Sequence, residues 1–294
     1  MTYDIGTASI EAAPCACGDD PDIRILRRVS SLNDFTLAND VGGPVRRIAI
    51  VDVETTGTDV MRDEIIDIAV VTIEVDSRGE IVGILSKGEG LRDPGLPLPA
   101  AITQLTGLTD GDVAGQSLDL DRLEQVLARA DVRIAHNARF DIAFIENLMP
   151  GLRGAAWGCS ANDVDWLDAG FDGRKLGHLL MQSGWFSSAH RAMADVVALL
   201  HLLAHRLPDG GTVMRRLLEN AEQQTIRFEA TGAPIDRRHE LKARGYKWDP
   251  AARVWWIELA ERDCLEEERW FLREISPRGA MPRTKSITWN ERHR

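Results

Sequence analysis

The chain has 294 residues, 44% of them hydrophobic, and a formal net charge of −11. That length supports one substantial core and leaves room for a smaller second domain. No run of about eighteen apolar residues occurs, so we expect no membrane span, and the first residues lack the basic and apolar regions of a secretion signal. The acidic balance disfavours nonspecific coating of nucleic acid. It does not exclude a local site, because carboxylates that hold metal ions present the metal's charge to a substrate.

Four cysteines are scattered along the chain and form no paired CxxC motif. Cys15 and Cys17 would need a second pair nearby to build a metal site, so we interpret all four as free thiols. Reduced cysteines are typical of the cytoplasm, which is the location that we expect.

Residues 1–45 show little periodicity beyond a short helix predicted at residues 23–33. Gly42, Gly43 and Pro44 then break the chain before the first strand. We interpret residues 1–45 as an N-terminal arm, with surface decoration as its default role and partner binding as the alternative.

Small and β-branched apolar residues from Ile48 to Val51 predict a strand that is buried on both faces. Asp52 and Glu54 follow, and residues two apart in a strand point to the same side. Two unpaired anions at the end of a buried strand are costly, so we expect a hard divalent cation such as Mg²⁺ between them. For this pair alone, a solvated sheet edge or a pair of capping residues is the alternative.

The next segments predict further strands of the same sheet. Residues 65–75 and 81–85 are rich in β-branched residues, and a turn at residues 77–79 joins them. Three strands with tight connections predict an antiparallel meander.

Two element junctions then carry acidic residues. Ser117 is a predicted N-cap for a helix with one apolar face. A strand at residues 132–135 runs into another helix, and Asp141 lies at that junction, where α/β proteins bind ligands. His190 and Asp195 lie near the start of a long helix. Because positions five apart do not share a helix face, they can converge only if His190 stands in the preceding loop.

Three separated segments carry these acids and histidines in a fixed order: Asp52-x-Glu54-Thr55-Thr56-Gly57, His136-Asn137-x-x-Phe140-Asp141 and His190-x-x-x-x-Asp195. In order, spacing and residue type they resemble the motifs of the DEDDh 3′–5′ exonucleases, a family that includes proofreading subunits of bacterial DNA polymerases. Leu105-Thr106-Gly107 also resembles a recurrent family segment. The resemblance covers residues 46–207 and implies an α/β fold: an RNase H-like mixed sheet flanked by helices.

The resemblance implies hydrolysis of a phosphodiester bond with two Mg²⁺ or Mn²⁺ ions. Asp52 would bridge both ions, and Asp141 would serve the second ion. Glu54 and Asp195 would complete the site of the ion that activates water. His190 would be the general base, because an unperturbed imidazole titrates near neutral pH.

The same resemblance implies where the substrate lies. The turn Thr55-Thr56-Gly57 would contact the terminal nucleotide, so that cutting begins at a 3′ end. We interpret Asn137 and Phe140 as structural or substrate-contacting residues. His136 is interpreted as a support for the end of its strand and not as a metal ligand.

We therefore expect an enzyme that removes nucleoside monophosphates from the 3′ ends of nucleic acid, with DNA favoured, in DNA repair or proofreading. One alternative is a catalytically inert nucleic-acid-binding or scaffold protein on the same fold. Such a protein would be expected to lack at least one metal-binding carboxylate, and all four are present here. A second alternative is an exoribonuclease that acts on short RNA.

Residues 208–276 predict a small α+β accessory domain with the element order β-α-β-β-α. Its segment from Leu241 to Trp248, with Trp255 and Trp256, resembles a small domain appended to bacterial exonuclease-like and DNA-processing proteins. Tryptophans interleaved with cations such as Lys247 can bind single-stranded nucleic acid. Core packing is the alternative. Because Trp255 and Trp256 alternate in one strand, we expect one in the core and the other partly exposed.

Two shorter segments complete the chain. Residues 277–294 predict a basic, flexible tail that can touch phosphates. Residues 223–228 resemble a bacterial sliding-clamp peptide, although the same residues fit a helix end that runs into a strand. A polymerase or a sliding clamp is thus an additional candidate partner.

Overall fold

The computed structural model describes residues 23–29, 31–188, 190–276 and 281–294. Within these ranges, no helix is both long and apolar enough to cross a membrane. The segment with Cys15 and Cys17, discussed above as a metal site or free thiols, lies outside the described residues.

In chain order, the strands are Arg27–Arg28 (β1), Val45–Thr55 (β2), Ile65–Asp76 (β3), Ile81–Leu91 (β4), Val132–Ala135 (β5), Trp157–Cys159 (β6), Trp185–Phe186 (β7), Thr225–Glu229 (β8), Lys247–Asp249 (β9), Val254–Ala260 (β10) and Arg283–Ile287 (β11). The helices are Ala100–Thr106 (α1), Asp110–Val113 (α2), Leu120–Ala128 (α3), Ala138–Leu148 (α4), Leu176–Gln182 (α5), Ala192–Ala204 (α6), Val213–Glu222 (α7), Arg238–Ala243 (α8) and Cys264–Trp270 (α9). A π-helical turn at Phe271–Ile275 continues the last helix.

The central sheet has the strand order β4-β3-β2-β5-β6. Strands β2, β3 and β4 form the predicted antiparallel meander, while β5 and β6 run parallel to β2. Alternation along β2 supplies both cores, because Ile48 and Ile50 pack on the side of α6 whereas Ala49 and Val51 pack on the side of α4. The predicted α/β class, a mixed sheet flanked by helices, is confirmed.

A second sheet has the order β11-β8-β10-β9 and forms the predicted α+β domain. Helices α8 and α9 cover one of its faces, where Phe228, Leu241 and Phe271 form a separate apolar core. The opposite face carries the polar residues that alternate with this core along the strands.

The predicted domain boundary at residue 208 placed helix α7 in the accessory domain, but the structure packs this helix against the first domain. Its apolar residues Val213, Met214 and Leu217 are fully buried in the core that also holds α6 and the central sheet. The helix therefore belongs to the first domain, and the accessory sheet begins only at Thr225. The sequence pattern could not reveal this, because an amphipathic helix fits equally well against either core.

Residues 281–294, which were predicted to belong to a flexible tail, are instead packed against both domains. Residues Arg283–Ile287 form β11, which pairs antiparallel with β8 and is itself an edge strand of the second sheet. Beyond it, the Trp289 carbonyl accepts a hydrogen bond from the Trp157 backbone N–H at 3.1 Å. Without this segment, β8 and β6 would each be left with unpaired backbone groups along one edge, and the hydrogen bonds to those groups account for the order of the segment.

The described part of the N-terminal arm likewise packs on the first domain. Instead of the helix predicted at residues 23–33, β1 pairs in parallel with β7. Phe35 and Leu37 then contact the core around α6. Helix α3 begins at Leu120 with Asp119 as its N-cap, two residues after the predicted cap at Ser117.

Candidate active site

The first two carboxylates of the site project from the carboxyl end of β2. Asp52 lies opposite Ala69 and Glu54 lies opposite Asp67 in the register with β3. The register shifts immediately after Glu54, where a β-bulge ends the regular pairing. Such irregularities commonly re-aim side chains beside active sites.

The other two carboxylates come from the first turns of α4 and α6. Asp141 is 2% exposed, and its carboxylate accepts a hydrogen bond from the backbone N–H of Val53. Asp195 is half-buried, and its carboxylate accepts a hydrogen bond from the backbone N–H of His190. Acidic residues in the first turn of a helix are favoured by the helix dipole, so both positions suit the sequence locally as well as the site.

Burial raises the pKa values of all four carboxyl groups, and repulsion between carboxylates adds to the rise at Asp52, Glu54 and Asp141. For Asp52 the pKa lies well above its ordinary value, because of burial first and then the charges of Asp141, Asp195 and Glu54. Burial, Asp195 and Asp67 raise the pKa of Glu54 to about 7, although Arg191 opposes this shift.

The pKa of Asp141 is raised by burial and by Glu54, while backbone hydrogen bonds oppose the rise. Burial also raises the pKa of Asp195, against the N–H donors of His190 and Arg191. Convergent, under-compensated carboxylates of this kind fit a divalent cation, which would keep them ionised.

His190 lies in the loop before α6, as predicted from its spacing of five residues from Asp195. Its backbone is left-handed, with φ 68°, and its N–H donates to Oδ2 of Asp195 at 2.8 Å. A ring nitrogen of His190 and carboxylate oxygens of Glu54 and Asp195 all lie within 4.8 Å of one another. The structure thus brings the histidine and the four acids to one end of β2.

The turn after β2 uses its hydroxyl groups internally. The Thr55 hydroxyl donates to the Gly57 carbonyl, and the Thr56 hydroxyl donates to Oδ1 of Asp63 at 3.0 Å. A Cβ on Gly57 would lie 2.4 Å from Oδ2 of Asp63. The absence of a side chain at Gly57 thus leaves room for the Asp63 carboxylate, and the hydroxyl groups of Thr55 and Thr56 are both used within the turn.

The motif around β5 has largely structural contacts. Asn137 has a left-handed backbone (φ 71°) and precedes α4, while Phe140 packs against Phe144 at 4.9 Å between ring centroids. The His136 Nε2 donates to the Arg174 carbonyl at 2.8 Å, and Nδ1 accepts from the Ser160 hydroxyl at 2.8 Å. Burial lowers the pKa of His136, so the neutral ring links two loops.

Sequence reasoning missed Asp67, a carboxylate that is 3% exposed. Its Oδ2 accepts hydrogen bonds from Nε of Arg191 at 3.0 Å and from the Ala192 backbone N–H at 3.4 Å. The available signal was an acid within the otherwise apolar residues 65–71 of β3, two residues before Ala69, which pairs with Asp52.

The tryptophans of the accessory domain face opposite sides, as alternation predicted. Trp255 packs against the core of that domain. Trp256 lies on the opposite face of the sheet, between the Arg227 guanidinium, 4.5 Å from its ring centroid, and Lys247 Nζ at 5.6 Å. The clamp-like segment at 223–228 is not available as a peptide, because most of it forms β8 between two strands and its Phe228 is buried.

Comparison with known proteins relates the first domain to nucleases. Residues 49–154 match the family model RNase_T, described as Exonuclease. The DNA polymerase III PolC-type of Listeria welshimeri is 41% identical over 102 residues, which are 33% of this chain and 6% of that protein. The PolC-type protein of Halalkalibacterium halodurans is 33% identical over 174 residues, which are 54% of this chain and 11% of that protein. The chain thus spans a small fraction of these relatives.

A solved structure also shares the fold. It is described as "the structure of exonuclease I suggests how processivity is achieved" and is 17% identical in sequence. The superposition covers 84% of this chain and 63% of that chain, with a TM-score of 0.50. This likeness is one of fold.

Proposed function

This chain carries a domain of the exonuclease family, and from that premise we propose that it is a metal-dependent 3′–5′ exonuclease. The observation that carries the proposal is the convergence of four carboxylates and one imidazole from three separate segments of the chain. Asp52, Glu54, Asp141 and Asp195 all have raised pKa values, and His190 is bonded to the last of them. An inert scaffold would have no need to maintain so costly a cluster.

The residues fit two Mg²⁺ or Mn²⁺ ions, because the donor set consists of carboxylate oxygens. Asp52, Glu54, Asp141 and Asp195 would hold these ions. When bound, such ions lower the pKa of water and neutralise charge that develops on the phosphoryl group. The His190 ring accepts the proton of the attacking water, while its backbone N–H remains bonded to Asp195.

The substrate we propose is DNA with a free 3′ end, from which nucleoside monophosphates are released. The polymerase relatives support DNA ahead of RNA, and a proofreading or repair role ahead of RNA turnover. The backbone of the turn at Thr55, Thr56 and Gly57 would contact the terminal nucleotide, with Asn137 and Phe140 nearby on the next motif. We expect the protein to act in the cytoplasm.

The face of the accessory domain that carries Trp256 would bind the strand away from the active site. Trp256 offers a ring for base stacking, and Lys247 beside it offers a cation for a phosphate. Trp255, which the sequence also nominated, packs into the core and is left out of this contact.

A nuclease assay tests the main proposal. We expect a 5′-labelled DNA oligonucleotide to be shortened progressively in Mg²⁺ or Mn²⁺, and a 3′-labelled one to lose its label at once as a mononucleotide. Asp52→Ala should abolish both results. Asp76→Asn, which changes a buried carboxylate at the far end of β3, should retain activity. Cleavage by Asp52→Ala at the wild-type rate would contradict the assignment.

Matched oligonucleotides address the substrate. The same sequence is supplied as DNA, as RNA and as a duplex with a mismatched 3′ terminus, and kcat/KM is compared under each metal. A higher kcat/KM for RNA would replace DNA by RNA in the proposal.

The role of the accessory domain is tested by substitution of Trp256. Trp256→Ala should raise KM for a long strand but not for a dinucleotide, and Trp256→Phe should return KM part of the way to the wild-type value. Unchanged KM would remove the accessory face from the binding site.

A further inference from the structure

The geometry points to Asp67 as a positioning residue that holds the start of helix α6 and so sets His190 against Asp195. We name the contact of Asp67 with Arg191 and Ala192 the Asp67 clamp. The inference deepens the proposed function and rests on it, because it assigns a task in the same site to an acid outside the three motifs.

Asp67 is placed to reach both parts of the site. It lies on β3 directly opposite Glu54, and directly opposed residues of antiparallel strands point to the same face. That face is the one against which α6 packs. Asp67 thus stands between the strand that carries Asp52 and Glu54 and the helix that carries Asp195.

The clamp acts on the two residues that link the histidine to the helix. Oδ2 of Asp67 accepts from Nε of Arg191 at 3.0 Å and from the Ala192 N–H at 3.4 Å. The Ala192 N–H belongs to the first turn of α6, where backbone donors have no partner within the helix. Asp67 therefore anchors the helix start to the sheet at the point where His190 leaves it.

His190 depends on such an anchor because of its backbone. A left-handed conformation at a residue other than glycine is strained and persists only where the surroundings determine it. One restraint is the bond from the His190 N–H to Asp195. The Asp67 clamp is the second, since it fixes the next two residues.

The contacts also distinguish Asp67 from the four acids assigned to metal. Its Oδ2 already accepts two donors, one of them the guanidinium of Arg191. That pair neutralises its charge within the protein, so Asp67 serves as a fixed point of the site and not as a ligand.

The same strand offers a matched control. Asp76 at the far end of β3 is also buried and accepts from Nε of its own arginine, Arg78, at 3.0 Å. It further accepts the backbone N–H of Gly42 at 2.6 Å. Asp76→Asn therefore removes a similar buried charge from the same strand without touching the site.

The test compares Asp67→Asn, Asp67→Ala, Arg191→Gln and the Asp67→Ala/Arg191→Gln double variant with Asp76→Asn in the full chain. We expect Asp67→Ala to lower kcat by about tenfold to a hundredfold and to raise the Mn²⁺ concentration for half-maximal activity. KM for the oligonucleotide should stay within about twofold. Asp67→Asn, which keeps an acceptor, should be milder. The double variant should be no worse than Asp67→Ala, because both changes break one unit.

Hydrogen exchange provides a readout that does not depend on turnover. The backbone amides of residues 190–196 should exchange faster in Asp67→Asn, whereas Asp76→Asn should leave them unchanged. If Asp67→Ala does not fold, Asp67→Asn and Arg191→Gln carry the test, since each retains a polar side chain.

Two results overturn the clamp: a folded Asp67 variant with wild-type kcat and Mn²⁺ dependence, or unchanged exchange at residues 190–196. A different result would show that the proposed function itself is wrong. A wild-type protein that cleaves no oligonucleotide would refute the nuclease, while exchange and calorimetric Mn²⁺ binding would still decide whether Asp67 holds the start of α6.

Discussion

The backbone N–H of His190 donates to Oδ2 of Asp195 across 2.8 Å, five residues along the chain. Helix α6 begins between them, so the loop folds back over the first helical turn instead of continuing it. The bond uses the main chain of the histidine and leaves its ring beside Glu54 and Asp195. This arrangement separates the placement of His190 from the chemistry of its imidazole.

Removing only the imidazole should therefore remove proton transfer and little else. We expect His190→Ala to lower kcat by about a hundredfold or more while KM changes by less than about threefold, because the backbone bond to Asp195 persists. His178→Ala, at another histidine of the same domain, is the control. A wild-type rate for His190→Ala would exclude the base assignment.

The raised pKa of Glu54 makes the metal-free protein less stable as the pH rises. The pKa moves from 4.5 to about 7, so the folded state binds more protons than the unfolded state between these values. By linkage, the free energy of unfolding then falls as the pH rises through this interval. Thermal melts in a chelator from pH 4.5 to 8 should show a falling Tm.

Metal addition and one substitution check the origin of that slope. Mg²⁺ or Mn²⁺ should raise Tm more at pH 8 than at pH 5, because the ligands must be deprotonated to bind it. Glu54→Gln should reduce the slope without abolishing it, since Asp52, Asp141 and Asp195 also have raised pKa values. A Tm that rises with pH in chelator would contradict the electrostatic account.

Arg292 should stabilise the contact between the two domains. Only 7% of it is exposed, and its guanidinium donates to carbonyls of Asn220, Ala221 and Gln223 at the end of α7 and to Glu258 in β10. We expect Arg292→Ala to lower the free energy of unfolding by about 2 to 4 kcal/mol, because these buried groups lose their partner.

Chemical denaturation measures that change. The control is Arg273→Ala, which breaks a mostly exposed ion pair with Glu274. It should cost less than about 0.5 kcal/mol. Equal effects of the two substitutions would show that the C-terminal segment does not hold the domains together.

Gly57→Ala should destabilise the turn after β2 because the new methyl group collides with the Asp63 side chain. This effect does not require a bound metal or substrate. The new methyl group would meet the Asp63 carboxylate, which also bonds Thr56 and Asp59. We expect a loss of about 1 to 3 kcal/mol in the free energy of unfolding, together with lower activity. Adding Asp63→Ala should recover part of the stability. If Gly57→Ala alone were neutral, the close approach of Asp63 would not explain the glycine.

Much of the first domain could be predicted because its signals are local. The apolar run before Asp52 and the alternation two residues apart determine a buried strand with both acids on one side, and the structure has this arrangement. The spacing from His190 to Asp195 excluded a shared helix face and so predicted the loop. The motifs also predicted a resemblance to exonucleases, and residues 49–154 match the family model described as Exonuclease.

Other features depended on partners that are distant in sequence. The sequence around Asp67 does not predict its contact with Arg191. The two residues are 124 positions apart, and they come together only when α6 packs on the sheet. The assignment of α7 to the first core and the pairing of β11 with β8 are of the same kind.

The sequence thus predicted, through motifs that resemble those of the exonucleases, which side chains could form the site, and the spacing of its residues predicted on which elements they lie. The tertiary structure decided how closely the acids approach, and hence the raised pKa values, because burial and repulsion arise only when separate segments meet. It also decided which polar groups contact one another beside the site, as Asp67 and Arg191 do, since that depends on which strand and helix become neighbours.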